Sequence, residues 1–231
     1  MLHHTGQTRK FRHDVSLAIV LSANAGFVNA AGWLGFGVLT TNVTGHAALL
    51  AVDVARSHWQ DALVVGGWLL LFLAGAFATG MWLSLSKGKA AGVYYIPLLA
   101  AALILVAVAH FSEGALSTAV MRVCTGSLLF SMGMQNALVS AISGFAVRTT
   151  HLTGLVTDLG IDLSKAISSY RTLEREDKLR IALRLSIIVC FLTGGILGGI
   201  CFERFSFASF YIPALLLGGT VAIDRVQSSK E

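Results

Sequence analysis

The sequence predicts an all-α integral membrane protein with six transmembrane helices. The helices are expected to form two inverted three-helix repeats, each with a short half-helix after its first span. Of the 231 residues, 55% are hydrophobic and only 13% are charged, whereas about a quarter of a soluble domain is charged. The apolar residues form blocks of about 20 residues, the length that crosses a bilayer. Four short patterns also occur twice in the same order, which indicates an internal duplication.

The duplication extends through most of the chain. Its first pattern is Gly26-x-x-Asn29-Ala30, and its second is Thr40-Thr41-x-x-Thr44-Gly45 with an aspartate eight residues later. The remaining patterns and all second copies are Phe72-Leu73-Ala74-Gly75, Tyr95-Ile96-Pro97, Gly133-x-x-Asn136-Ala137, Thr149-Thr150-x-x-Thr153-Gly154, Phe191-Leu192-Thr193-Gly194 and Tyr211-Ile212-Pro213. Because the order is kept, the two halves are expected to share one fold.

Six apolar segments are predicted to span the membrane: residues 15–38, 62–86, 94–110, 116–143, 181–202 and 208–224. The organisation that follows is a tail (1–14), a first repeat (15–111), a second repeat (112–226) with a charged cytoplasmic linker (165–180), and a tail (227–231). The basic tail and Ala23-Asn24-Ala25 also imitate a secretory signal. The repeat pattern that begins at Gly26 favours a first span instead.

Basic residues predict the topology. With the N-terminus inside, six spans place the basic loop residues on the cytoplasmic side and Glu113 outside, in agreement with the positive-inside rule. These basic residues are Lys87, Lys89, Arg148, Lys165, Arg171, Arg175 and Arg225. Three spans per repeat is an odd number, so the halves are inverted, a pattern of secondary transporters. An eight-span chain with parallel halves is the alternative.

The threonine–glycine segments are the predicted site. A half-helix that begins with Thr-Gly offers free backbone N–H groups, and loop hydroxyls at membrane depth can replace the hydration of a solute. The predicted substrate-binding residues are Asn29, Thr40, Thr41, Thr44, Gly45, Asn136, Thr149, Thr150, Thr153 and Gly154. The alternative is structural: Thr44 and Thr153 cap their helices, and the glycines allow close packing.

Asp53 and Asp162 are candidates for coupling or gating. Nine residues of helix separate Thr44 from Asp53, about 13.5 Å. If the threonines lie at the midplane, the aspartates are near a membrane surface and have a structural role. If the threonines lie at a surface, the aspartates are at mid-depth, where a charge is costly and usually functional. Asp158 stands where the first half has Leu49 and breaks the symmetry.

The sequence favours no enzyme, metal site or cofactor. His46, His110 and His151 are scattered, and the chain has no hydrolase, metalloprotease or nucleotide-binding motif. The three cysteines have no metal-ligand spacing and are interpreted as thiols. Expected partners are the lipid bilayer and a small polar solute or ion, and no nucleic acid. Small residues in the fifth span predict tight helix contacts, with the other half or within a homo-oligomer.

The motif Gly26-x-x-Asn29-Ala30 followed by Thr40-Thr41-x-x-Thr44-Gly45, with its second copy, resembles the YoaK family of bacterial multipass membrane proteins. The resemblance covers residues 15–225. It implies a domain of unknown function in the bacterial inner membrane, here with both termini cytoplasmic. Relatives usually carry Asp at the position of Asn29, and Asn at the position of His46.

Two functions follow from these observations. The favoured one is a transporter or channel for a small polar solute or ion, with its site at the interface of the two repeats. The alternative is a scaffold or sensor that transports nothing, whose repeated motifs cap and pack helices.

Overall fold

A computed structural model of the chain describes residues 11–86, 91–114, 117–142, 152–168 and 174–228, and these residues contain no strand. The α-helices are α1 (Phe11–Phe36), α2 (Val43–Ala55), α3 (Trp59–Leu85), α4 (Tyr95–Phe111), α5 (Thr118–Ile142), α6 (Leu152–Ser168), α7 (Arg175–Phe205) and α8 (Tyr211–Ser228). Short 3₁₀ helices, Ala91–Tyr94 and Ser206–Phe210, precede α4 and α8. The predicted all-α class is confirmed.

The longer apolar helices indicate a membrane protein. Within the described residues, three segments are long and apolar enough to cross a bilayer: Ile19–Phe36, Trp59–Leu85 and Arg175–Val226, the last of which includes both α7 and α8. The 13 residues of α2 extend only about 20 Å, against about 30 Å of hydrocarbon. α2 is therefore too short to span by itself.

Much of the charged stretch predicted at 165–180 is helical. α6 continues to Ser168, and α7 begins at Arg175 rather than at residue 181. Residues 175–180 are therefore the first turns of α7, with Glu176 and Asp177 where a helix N-terminus favours negative charge. Residues 169–173 lie outside the described part of the chain.

Glycines bring two pairs of helices into backbone contact. α1 packs mainly against α7, and α3 against α5. A Cβ added to Gly26 would lie 2.0 Å from the Phe191 carbonyl oxygen, and one added to Gly133 would lie 2.1 Å from that of Phe72. Gly26 and Gly133 are the same position in the two copies of their motif. The small residues thus permit the close crossings that small-x-x-x-small patterns predict.

Each of these close pairs is parallel. Gly194 lies against Ala23, and Gly198 lies against Phe27, so α1 and α7 run in the same direction. Further along the chain, Gly126 lies against Leu71 and Gly133 against Phe72 and Ala76, so α3 and α5 also run in the same direction.

Two other pairs are antiparallel. Asn24 of α1 is hydrogen-bonded to Gln135 of α5. Gly32, which follows Asn24 in α1, is close to Leu128, which precedes Gln135 in α5. α1 and α5 therefore run in opposite directions. Tyr95 at the start of α4 contacts Asp224 near the end of α8. Each of these pairs joins a helix of one half to its counterpart in the other half.

The core lies along α1, α4, α5 and α8. Leu21, Leu98, Leu105, Leu128 and Leu217 are fully buried there. α3 and α7 instead carry large exposed apolar side chains on their outer faces, such as Leu63, Phe77 and Ile196. Such a surface suits a lipid environment, because a soluble monomer rarely exposes large contiguous apolar patches.

Candidate functional site

The chain folds back on itself between α1 and α2. α1 ends at Phe36, and the amide of Gly37 donates to the Trp33 carbonyl over 2.9 Å. Gly37 has φ +69°, a left-handed conformation that glycine adopts without strain. The segment 37–42, called the threonine loop below, then returns along α1.

Asn29 holds the threonine loop against α1. Its Oδ1 accepts two hydrogen bonds of 3.0 Å, one from the backbone N–H of Thr41 and one from its hydroxyl. Both bonds need an acceptor, so a carboxylate at position 29 would also make them. The repeated Asn and the second threonine, both predicted to line a site, are therefore brought together in the first copy.

Thr40 is buried in the middle of the helix bundle. It is fully buried, and a Cβ added to Gly32 would lie 2.7 Å from its methyl group. Gly32 in turn lies close to Leu128, ten residues after Thr118 and fourteen before Ile142. At 1.5 Å per residue those distances are about 15 and 21 Å, so the threonine loop lies near mid-length of α5. The Thr40 hydroxyl has no hydrogen-bond partner within the described chain.

Asn42, and not Thr44, caps α2. The Oδ1 of Asn42 accepts from the N–H of Gly45 over 3.0 Å, and the Thr44 side chain is exposed. A Cβ at position 45 would lie 2.3 Å from the Asn42 amide nitrogen, so Gly45 is what leaves room for this cap. The interpretation of Thr44 as the cap of its helix is therefore wrong, because Asn42 fills that role.

His46 follows directly in α2 and is 3% exposed. Its Nε2 lies 2.9 Å from the carbonyl oxygen of Leu39 in the threonine loop. Its ring centroid lies 6.2 Å from that of Trp68 on α3. His46 was not among the predicted site residues, because it does not recur in the second half.

The second copy is described only in part. Thr149 and Thr150 lie outside the described residues. Thr153 is exposed and Gly154 half-buried in the first turn of α6, and the Oδ1 of Asn136 is buried without a partner in the described residues. No described hydrogen bond joins the predicted site residues of one copy to those of the other.

The two aspartates have different surroundings. Asp53 lies 3.8 Å from Nδ1 of His58, at the tight turn between α2 and α3. Asp162 pairs with Arg184 of α7, which also lies 3.3 Å from a carboxylate oxygen of Asp158. The lack of symmetry at Asp158 is thus explained by Arg184, a residue within a predicted apolar span.

A second polar cluster lies between α1 and α5. Asn24 donates to Oε1 of Gln135 over 2.7 Å, and Gln135 donates to the Leu21 carbonyl over 2.9 Å. Both amides are buried, and Oδ1 of Asn24 and the Ser22 hydroxyl are unpartnered among the described residues. Gln135 directly precedes Asn136 of the repeated motif, but its position beside Asn24 depends on how α1 and α5 cross.

The comparisons with known proteins identify the family of the chain but assign it no activity. A family model described as a protein of unknown function, DUF1275, matches residues 17–223. The match supports the expected family of unknown function, but it does not carry the name YoaK. No curated protein and no solved structure matches the chain. Over the described residues, no group of three or more His, Cys, Asp or Glu side chains is placed to hold a metal ion.

Proposed function

Because the chain belongs to the DUF1275 family of proteins of unknown function, we propose its function from its geometry: it passes or exchanges a small polar solute or ion across a membrane. The solute site comprises the threonine loop with Asn29 and the corresponding residues of the second half. Asp53, near the end of α2, and Asp162, in the second half of α6, serve coupling or gating.

We further propose the six-span, inverted-repeat arrangement in the bacterial inner membrane, with both termini cytoplasmic. Its support is the direction of the helices. Two inverted halves require α1 to be antiparallel to α5 and α4 to be antiparallel to α8, as the contacts of Asn24 and Tyr95 imply. Parallel halves require the opposite relation for both pairs. The shortness of α2 also favours a re-entrant half-helix over a seventh span.

The observation that carries the proposal is the break in the helix at mid-depth. Irregular backbone at membrane depth is tolerated where it is buried in protein or lines a water-filled cavity, and discontinuous helices form the sites of many secondary transporters. Here the break buries the hydroxyl of Thr40 without a partner among the described residues. Valine has nearly the same shape as threonine. If this side chain only packed the loop, it would therefore need no hydroxyl.

The alternative, a scaffold or sensor, is favoured by a different observation. The contacts of Asn29 and Asn42 are structural, the first a tie for the loop and the second a cap of α2. If this is the whole purpose of the motif, no solute binds near it.

Thr40→Val separates these functions. The variant keeps the shape and removes a hydroxyl that has no described partner, so the fold should be kept and the melting temperature should not fall. Thermal melting of the purified protein in detergent is measured against a panel of small neutral solutes, cations and anions. A solute that binds only the folded state raises the melting temperature.

We expect at least one solute to stabilise the parent protein and to lose this effect in Thr40→Val. Thr193→Val is the matched control, because Thr193 is exposed on α7 and donates only to carbonyls of its own helix. A flat panel, or a stabilisation that is the same in Thr40→Val, would overturn the proposal and favour the scaffold.

A further inference from the structure

A crevice of about 430 Å³ lies between α4 and α5. It is called the α4–α5 crevice below. Its walls are residues of α4 between Ile104 and Phe111 and residues of α5 between Ala119 and Ser127. Phe111 and Val123 in this lining are each 68% exposed, so the crevice opens at the surface of the helix bundle rather than into its core.

The lining suits an apolar occupant. Its side-chain polar groups are the Cys124 thiol, which accepts from the Ser112 hydroxyl over 3.4 Å, and the Ser127 hydroxyl. A buried water needs about 2–4 polar partners, whereas an apolar cavity of about 150 Å³ stays dry and binds benzene. The α4–α5 crevice is nearly three times as large as that cavity, and it lies within the roughly 300–1,000 Å³ of small-molecule sites.

The position of the crevice indicates which apolar molecule can enter it. On α4 it begins at Ile104, near mid-length, and ends at Phe111, the last residue of that helix. These residues are about 10 Å apart along the helix axis, which lies within one half of the bilayer. The exposed Glu113 follows in the loop at this end. An acyl chain of a lipid in that leaflet runs in the same direction, with its headgroup at the level of the loop.

The crevice recurs at the other end of the molecule. A cavity of about 210 Å³ lies between α1 and α8, which are the repeat counterparts of α5 and α4. Four of its lining residues, Val20, Thr220, Ile223 and Asp224, are the counterparts of Ser127, Ile104, Ala107 and Val108 in the repeat alignment. The crevice is therefore a consequence of how the two halves meet. The α1–α8 cavity is the smaller one and has an isoleucine where the α4–α5 crevice has Ala107.

Van der Waals packing, and not the hydrophobic effect, favours a lipid chain in such a crevice. Lipid chains are as apolar as the lining, so apolar surfaces gain little from leaving them. An empty crevice, however, leaves the side chains of its walls without dispersion contacts. Because none of the lining residues is charged, the crevice holds a chain but offers no ionic partner to a headgroup.

We propose that the α4–α5 crevice is a lipid-binding site that holds an acyl chain of a membrane phospholipid. The chain packs between the last helix of the first half and the first helix of the second half. In the proposed topology the lipid belongs to the outer leaflet. This inference goes beyond the proposed function and does not depend on a solute site.

The test is photolabelling of the full-length protein in phosphatidylcholine vesicles. The vesicles contain a trace of phosphatidylcholine with a diazirine in one acyl chain, and the labelled residues are identified by mass spectrometry of peptides. Leu63 and Phe77, which are exposed on α3, report the labelling by ordinary surrounding lipid. Circular dichroism verifies that each variant is folded.

We expect the lining of the crevice to be labelled several-fold more strongly than Leu63 and Phe77. Ala107→Ile, which copies Ile223 of the smaller cavity, should reduce this labelling to the level of the α3 positions. Ala119→Ile fills the crevice from α5 and should have the same effect, which protects the test if one variant does not fold. Leu103→Ile is the matched control, because Leu103 is 68% exposed on α4 and lies outside the lining. It should leave the labelling unchanged.

Labelling of the crevice that is no stronger than at the α3 positions would overturn this inference. Strong labelling that persists in the folded isoleucine variants would also contradict it, because the chain would then lie outside the crevice. Weaker labelling than on α3 would show that protein covers the crevice, such as a second copy of the chain, and would equally exclude a lipid there.

Discussion

The side chains of Asn24 and Gln135, 111 residues apart in sequence, form a buried hydrogen bond of 2.7 Å between α1 and α5. The side-chain amide of Gln135 also donates to the Leu21 carbonyl over 2.9 Å. These bonds link the first helices of the two halves where those helices are antiparallel. A buried amide pair is therefore one of the contacts between the two halves of the chain, beside the close crossings of α1 with α7 and of α3 with α5.

The first prediction concerns this pair. Gln135→Leu should lower the free energy of unfolding by about 1–3 kcal/mol, because it leaves the Asn24 amide buried without its partner. The double variant Asn24→Leu, Gln135→Leu should recover part of that loss, because both polar groups are then gone. Unfolding in detergent, followed by circular dichroism, measures both. Additive losses in the double variant would show that the two amides are not coupled.

The second prediction concerns the glycines at the helix crossings. Gly133→Ala places a Cβ 2.1 Å from the Phe72 carbonyl oxygen, which belongs to backbone and cannot rotate away. α3 and α5 must then separate, which should cost about 2 kcal/mol or more. In Gly80→Ala the new Cβ meets no atom within 4 Å, and alanine is the better helix former. This control should melt at or above the parent temperature, and equal melting of the two variants would argue against the close crossing.

The third prediction concerns Arg184. Arg184→Gln removes the partner of Asp158 and Asp162 at the contact between α6 and α7. We expect a loss of about 1.5–3 kcal/mol, the range for hydrogen bonds to charged groups. Arg180→Gln, which breaks an exposed pair with Asp177, should change stability by less than about 1 kcal/mol.

The first half supplies a rescue for this variant. In the repeat alignment Leu49 stands opposite Asp158, and Val65 opposite Arg184. The double variant Arg184→Val, Asp158→Leu copies this apolar pair and should be more stable than Arg184→Val alone. If the double variant is no better, Asp162 by itself accounts for the contribution of Arg184.

The sequence predicted the features that depend on local pattern. The helix break after α1 follows from the run of glycines and threonines. The sequence also predicted that Asn29 and the threonines line one site, and Asn29 does contact Thr41 of the threonine loop. The cap was assigned to Thr44, because Thr-Gly is the repeated unit, but Asn42 reaches the Gly45 amide. One pattern admits both caps, and only the backbone geometry selects between them.

Features that depend on how helices cross were not predicted. Asn24 and Gln135 each interrupt an apolar span, but nothing in either segment indicates that they face one another. Arg184 is hidden in the same way within a long apolar helix. Asp158 was the available clue, because an additional acid without a counterpart in the first half calls for a base nearby.

The last prediction tests the topology. Six spans with inverted halves place the α2–α3 turn and the α4–α5 loop outside the cell, whereas eight spans place both inside. Ser57 and Glu113 are exposed residues in these two segments. In a background without native cysteines, Ser57→Cys and Glu113→Cys should therefore react with a membrane-impermeant maleimide on intact cells. Ser228→Cys at the end of α8 is cytoplasmic in both arrangements and should react only after permeabilisation.

Protection of both positions 57 and 113 on intact cells would require parallel halves, which the antiparallel contacts of α1 with α5 and α4 with α8 do not allow. Such a result would remove the basis for a solute site between inverted repeats.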